Sequence, residues 1–235
     1  MPSTFLHAEW RKLSMANYPI DRKILQTYVP NKTEIELWNG TCYVSLVGFM
    51  FLNTKIKGLQ IPFHINFEEV NLRFYVRYKD TEGWKRGVVF IKEIVPRAAL
   101  TFVANRIYKE NYETMSMDHL WRLDDSSLNV EYRWKKRSWN SFSVMASPTA
   151  SNIENGSEEE FITEHYWGYT KVKDKTSEYQ VEHPTWKVYK VRSYNVEVDF
   201  GAVYGGQFDF LKLEKPLSVF LAEGSEIKVN SGRQL

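Results

Sequence analysis

Residues 69–77 read Glu-Val-Asn-Leu-Arg-Phe-Tyr-Val-Arg, with a polar or amphipathic side chain at every odd position and an apolar one at every even position. A period of two is the signature of an extended strand. Val70, Leu72, Phe74 and Val76 then share one face, while Glu69, Asn71, Arg73, Tyr75 and Arg77 share the other. On the pattern alone, the polar face reads as a strand surface in water. A second reading makes it the inside of a barrel. There Arg73, permanently charged and able to meet a carboxylate at two points, would anchor an anion. Glu69 would be its partner or a proton carrier.

Most of the chain repeats the strand signature. TEIELW and TCYVSLVGFMF flank Asn39-Gly40, the strongest short hairpin signal. RGVVFIKEI, ETMSMDHLWRL, SLNVEYRWKK, HYWGYTKV, EYQVEH, WKVYKVRSYNVEV and SVFLAEGSEIKV read as further strands. Fourteen Phe, fourteen Tyr and eight Trp suit pleated surfaces. Helices are few. Asp21 can cap RKILQTY, which Pro30 stops. Pro96 suits the first turn of a longer helix in which Ala99, Phe102, Val103, Ile107 and Glu110 fall on one side. Ser157 and Glu160 have capping-box spacing ahead of EEEFI. Residues 146–157, ASPTASNIENGS, read as a mobile loop. The sum is an α+β chain dominated by antiparallel sheet. Its 235 residues fit one domain, 1–235, with no repeat of fixed period.

Lys and Arg total 31 against 29 Asp and Glu, so no charge excess draws nucleic acid or an anionic membrane. Residues 132–139 mix aromatics with basic residues, but a solvated strand end explains them better than a platform for single strands. No apolar run approaches the roughly 18 residues of a membrane span. The first residues do not read as a secretion signal, and the lone Cys42 suits a reducing compartment, so the expected location is cytoplasmic. The five histidines show no metal-ligand spacing. Glu164-His165 and Glu182-His183 would point to opposite faces of a strand, which favours structural roles. With no phosphate loop and no nucleophile elbow, neither a metal nor a cofactor is expected.

Several passages in order resemble the YqjF-like branch of the acetoacetate decarboxylase-like superfamily. FEEVNLRFYV is similar to a strand of the form F-x-E-x-N-V-R-x-Y-V. GVVFIKEIVPRAALTFVANRIYKENY is similar to the branch's strand–helix–turn unit, and FITEHYWGY and EHPTW to two later elements. The likeness runs from about residue 10 to 229. It implies a barrel- or cone-like antiparallel sheet around a central cavity, with a few flanking helices. It matches Glu69 to the superfamily's glutamate and favours the inward reading of the polar face. The decarboxylases carry a Schiff-base lysine just after the helix, in a stretch like G-x-P-K-K. Here that stretch is Lys109-Glu110-Asn111-Tyr112-Glu113, and the lysine position holds Tyr112. A phenol cannot form the iminium that draws electrons from a β-keto acid. Lys109, three residues earlier, is the nearest alternative amine.

Three functions stay open. The first is a protein that binds a small organic acid or carbonyl compound, with Arg73 as anchor and Asn71 and Tyr112 as hydrogen-bond donors. Tyr75, Arg106 and Tyr108 complete the candidate ligand contacts. The second is a lyase or isomerase that works without a covalent intermediate, with Glu69 as base and Tyr112 as acid or oxyanion donor. Burial would raise the Glu69 pKa. The third is a structural or interaction module, with exposed sheet edges that would allow a homo-oligomer.

Overall fold

The computed structural model describes residues 4–107 and 110–235, apart from the side chains of Val103, Ala104, Arg106 and Ile107. In chain order the elements are β1 (Thr4–Pro19), α1 (Arg22–Leu25), β2 (Thr33–Ile35), β3 (Tyr43–Ile56), β4 (Phe67–Lys79), β5 (Trp84–Val95) and α2 (Ala98–Ile107). Then follow β6 (Tyr112–Thr114), β7 (Ser116–Leu123), β8 (Leu128–Lys135), β9 (Trp139–Asn152), α3 (Glu158–Thr163), β10 (Trp167–Val172) and β11 (Lys175–Glu182). The last are β12 (Lys187–Glu197), α4 (Phe200–Tyr204), a 3-10 turn (Gly206–Lys212), β13 (Ser218–Asn230) and β14 (Arg233–Gln234).

These strands form one sheet, antiparallel except where β5 pairs with β6 and β10. Part of it closes into a ring in the order β11–β10–β5–β4–β3–β1–β13. Closure comes from Val181 and Glu182 of β11 pairing with Val229 and Lys228 of β13. From β13 the sheet continues as an arm, β12–β9–β8–β7, that packs on the outside of the ring.

The arm explains why β4 is buried on both faces. Val70, Leu72, Phe74 and Val76 are fully buried in a core shared with Val130, Tyr132, Trp134 and Phe142 of the arm and Phe200 and Phe208 beyond it. Each such side chain contributes roughly 2 kcal/mol of burial free energy. Gly48 of β3 marks the closest approach: a methyl group there would lie 2.7 Å from the Tyr132 ring. The opposite face of β4 looks into the ring, where Leu13, Val47, Phe49, Phe67, Tyr75 and Val181 form a second core. The surface-strand reading of Glu69, Asn71 and Arg73 is therefore wrong, because these side chains are 2%, 1% and 7% exposed.

Other expectations change with the fold. Asn39 and Gly40 do adopt the paired positive φ of a tight turn, but only the single bridge Trp38–Thr41 flanks them; β2 pairs with β4 instead of β3. The expected loop at 146–157 begins only after Asn152, because Ala146, Ala150, Ser151 and Asn152 find ladder partners on β12. β1, unassigned from sequence, fills the gap between β3 and β13. Phe102, grouped by spacing on one side of the helix with Ala99 and Glu110, is 64% exposed, whereas Glu110 is buried. Asp21 and Ser157 cap their helices as the sequence predicts, accepting from the backbone N–H of Lys23 and Glu160. No helix among the described residues is long and apolar enough to cross a membrane.

Candidate functional site

Sheet register builds the site. Asn71 of β4 stands opposite Glu93 of β5, and Glu93 stands beside Tyr112 of β6. Directly paired residues project to the same face with Cβ atoms about 5 Å apart, so one rung carries three polar side chains into the ring. Glu69 lies two residues from Asn71 on the same face of β4. Tyr112 is fixed from behind by the side chain of Asn105 on α2. Asn105 Oδ1 accepts from the Tyr112 backbone N–H (2.8 Å), and its Nδ2 donates to the Tyr112 carbonyl (3.0 Å).

The side chains converge on Glu69. The Tyr112 hydroxyl donates to Glu69 Oε2 at 3.2 Å, and Asn71 Nδ2 donates to Oε1 at 3.0 Å. Burial pushes the Glu69 carboxyl up to about 7, against the opposing effects of Asn71, Tyr112 and the Arg73 charge. Two further carboxyls share the cavity. Glu93 is raised well above the usual carboxylate range, by burial and then by Glu110 and Glu69. Burial pushes Glu110 up to about 8, although Thr170 Oγ1 donates to its Oε1 at 2.6 Å. Burial also holds the Tyr112 phenol neutral, far above its ordinary pKa. At neutral pH Glu93 and Glu110 mostly hold their protons, and Glu69 stands near the balance of its two forms.

Arg73 supplies the permanent charge. It lines the same cavity, its Nε has no hydrogen-bond partner, and no ion pair within 4.0 Å joins it to a carboxylate among the described residues. The expected Glu69–Arg73 pair is thus an interaction at longer range, and the guanidinium keeps unused donors. The cavity has a volume of about 170 Å³. Apolar walls from β1, β3 and β5 surround the polar floor. Ile61, from the loop after β3, and Leu100, on the first turn of α2, line it as well.

Of the sequence candidates, Glu69, Asn71, Arg73 and Tyr112 come together. Tyr75 does not reach the cavity wall: its hydroxyl meets Ser45 Oγ at 2.7 Å, and Ser45 in turn donates to Asn17 Oδ1. Tyr108 and the side chain of Arg106 lie outside the described residues, as does Lys109. No lysine lines the cavity among the described residues. Lys92, next to Glu93 in sequence, points the other way, to Glu113 (2.8 Å) and the Val203 carbonyl (2.5 Å). Among those residues, no group of three His, Cys, Asp or Glu side chains is arranged to hold a metal.

Sequence reasoning missed Glu93, Glu110 and His165. Glu110 was visible only as an end of the helical face. Glu93 shares the period-two alternation of β5 with Val95, a signal that could have placed it inward. His165 is buried, and its Nε2–H donates to Glu36 Oε2 at 3.0 Å; Arg86 Nε holds the other Glu36 oxygen at 2.8 Å. Its Nδ1 has no partner, and burial lowers its pKa to about 4. The neighbour Glu164 turns instead to Tyr166 and Thr185, so adjacency held no clue.

The fold of this strand ring is that of acetoacetate decarboxylase-like proteins. The acetoacetate decarboxylase of Legionella pneumophila superposes on the whole chain and on 88% of its own length (TM-score 0.67, 12% identity). The enduracididine biosynthesis enzyme MppR, complexed with pyruvate, does so over 91% of its own length (TM-score 0.68, 10% identity). At these identities the likeness is one of fold. Within that fold the chain belongs to the DUF2071 family, described as "Uncharacterized conserved protein (COG2071)", whose profile matches residues 7–226. A relative is the uncharacterized protein YqjF of Bacillus subtilis (strain 168), 26% identical over 182 residues, covering 75% of this chain and 72% of YqjF.

Proposed function

We propose that the chain, as one domain, wraps its ring of strands into a barrel whose cavity binds a small organic acid or carbonyl compound. The observation that carries this reading is the unpaired Arg73 guanidinium beside the Tyr112–Glu69–Asn71 group in a largely apolar cavity. A buried charge without a partner is costly, and an incoming carboxylate would supply one in two-point geometry. The complex of MppR with pyruvate shows that a neighbour in fold accommodates such an acid. By the resemblance, Tyr112 stands where the decarboxylases have their lysine, so this reading carries no Schiff-base decarboxylation. A structural module would be favoured by a filled apolar centre or a solvated polar face, and Glu69, Asn71 and Arg73 are buried around a cavity.

One observation favours a second reading, an acid–base lyase or isomerase. A carboxyl with a pKa of about 7 is near the optimum for moving a proton at neutral pH, and the neutral Tyr112 hydroxyl could donate to a developing oxyanion. A melting-shift screen of small organic acids tests the first reading. Stabilisation of the wild type by a carboxylate, reduced in Arg73→Ala, supports it; no difference between the two proteins defeats it. Turnover of any substrate so found that persists unchanged in Glu69→Gln removes the second.

A further inference from the structure

The cavity wall beyond Glu69 is aromatic, and it is built by the same register that builds the floor. Phe49 of β3 stands opposite Glu69, Phe51 stands opposite Phe67, and Trp10 of β1 stands opposite Phe51. The rings touch one another. Trp10 meets Phe49 and Phe51 edge-on with centroids 5.3 and 5.9 Å apart, and Phe51 stacks on Phe67 at 4.7 Å. All four line the cavity. At the same end Trp10 Nε1 and Thr54 Oγ1 are buried without hydrogen-bond partners, although both residues line the space. Unsatisfied polar atoms of this kind are rare in a closed core and mark a volume that something else completes.

A compact acid such as pyruvate would occupy the polar floor and leave this wall uncovered. An apolar cavity on the order of 150 Å³ is enough to hold benzene, and the cavity here measures about 170 Å³. We infer that the ligand is an acid or carbonyl compound bearing a flat apolar body of about the size of a phenyl ring. Its head lies on Arg73, Asn71 and Tyr112, and its body lies against Phe49, Phe51, Phe67 and Trp10. The inference rests on the reading of the cavity as an acid-binding site and narrows its ligand class.

Calorimetric titration of the whole protein with pyruvate, acetoacetate and phenylpyruvate tests it. Phenylpyruvate is expected to bind at least roughly tenfold more tightly than either small acid, the increment that burying one ring supplies. Phe49→Ala, which opens the wall beside Glu69, should bring that preference down to within about threefold. If Phe49→Ala does not fold, the wild-type ratio decides alone. Pyruvate or acetoacetate binding as tightly as phenylpyruvate overturns the inference and leaves the acid-binding reading intact. Binding of none of the three overturns both, and phenylpyruvate binding that survives Arg73→Ala unchanged overturns the assigned place of the head.

Discussion

The Tyr112 hydroxyl donates to Glu69 Oε2 at 3.2 Å, joining the start of β6 to the inner face of β4 across 43 residues of sequence. This contact replaces an amine by a neutral donor at the position that, by resemblance, carries the decarboxylases' lysine. The donor favours the ionised form of Glu69, while burial favours the protonated form and pushes the carboxyl up to about 7. Glu69 therefore sits close to half-protonated at neutral pH, which makes it sensitive to anything that enters beside it.

Removing the donor should move that balance. In Tyr112→Phe the Glu69 carboxyl loses a bond that stabilises its charge, and its pKa is expected to rise above 7. The carbonyl stretch in an infrared pH titration, assigned with Glu69→Gln, reads the change. Stability should fall by about 1 kcal/mol for the lost hydrogen bond. An unmoved titration would mean that the phenol does not act on Glu69.

The buried acids also shape stability against pH. Unfolded, Glu69 and Glu110 titrate near 4.5; folded, burial pushes them up to about 7 and about 8. The native chain thus holds more protons than the unfolded one over that window. Their contribution is full below 4.5 and is lost as pH rises through 7 and 8, at no more than about 1.4 kcal/mol per pH unit for each group. His165 acts in the opposite sense. Burial depresses it from 6.5 to about 4, so its contribution is present above 6.5 and is lost as pH falls toward 4. Melting curves from pH 4 to 9 should show Glu110→Gln flattening the alkaline limb and His165→Gln flattening the acid limb. Wild-type slopes in both variants would contradict this.

Arg73 should behave as a binding residue, not a keystone. With no carboxylate within ion-pair distance among the described residues, Arg73→Met breaks no buried pair. It should therefore cost less than the 3–5 kcal/mol typical of breaking one. The loss of its charge should also raise the pKa values of Glu69 and His165, both of which it holds down. Denaturant unfolding together with the same infrared titration checks both effects. A loss as large as that of a broken buried pair would show that Arg73 has a structural partner.

The packing of the arm on the ring has its own test. Gly48→Ala places a methyl 2.7 Å from the Tyr132 ring, closer than two side chains can pack. Overpacking of this kind costs about 1–3 kcal/mol, visible as a lower denaturation midpoint. An unchanged midpoint would mean that the arm yields freely at this seam.

What the sequence disclosed follows from how far each signal reaches. The alternation in β4 is local, and it named Glu69, Asn71 and Arg73 as one face; whether that face met water or a cavity depended on how the ring closes through β1 and β13, far from β4 in sequence. The family resemblance favoured the inward choice without deciding it; the burial of all three side chains decides against the surface. β1 escaped because its alternation is interrupted at the irregular pairings near residues 7–9 and 11–14. The 146–152 strand escaped because Ala, Pro and Asn there take their strand character from β12, not from their own propensity. His165 could not be recognised from its neighbours, since its partner Glu36 lies 129 residues earlier. Tyr75 shares the face of Arg73, yet Ser45, itself held by Asn17, claims its hydroxyl.

Proton uptake on binding is the most direct measure of whether an acid sits beside Glu69 on Arg73. A carboxylate that engages the guanidinium weakens its hold on the Glu69 charge and adds a negative charge nearby, so Glu69 should gain a fraction of a proton at pH 7. Calorimetric titration with phenylpyruvate and with pyruvate, in buffers of different ionisation enthalpy, reads that fraction. Net uptake by the wild type that largely disappears in Glu69→Gln is the expected result. Binding heats independent of the buffer, or no binding of either acid, would contradict it.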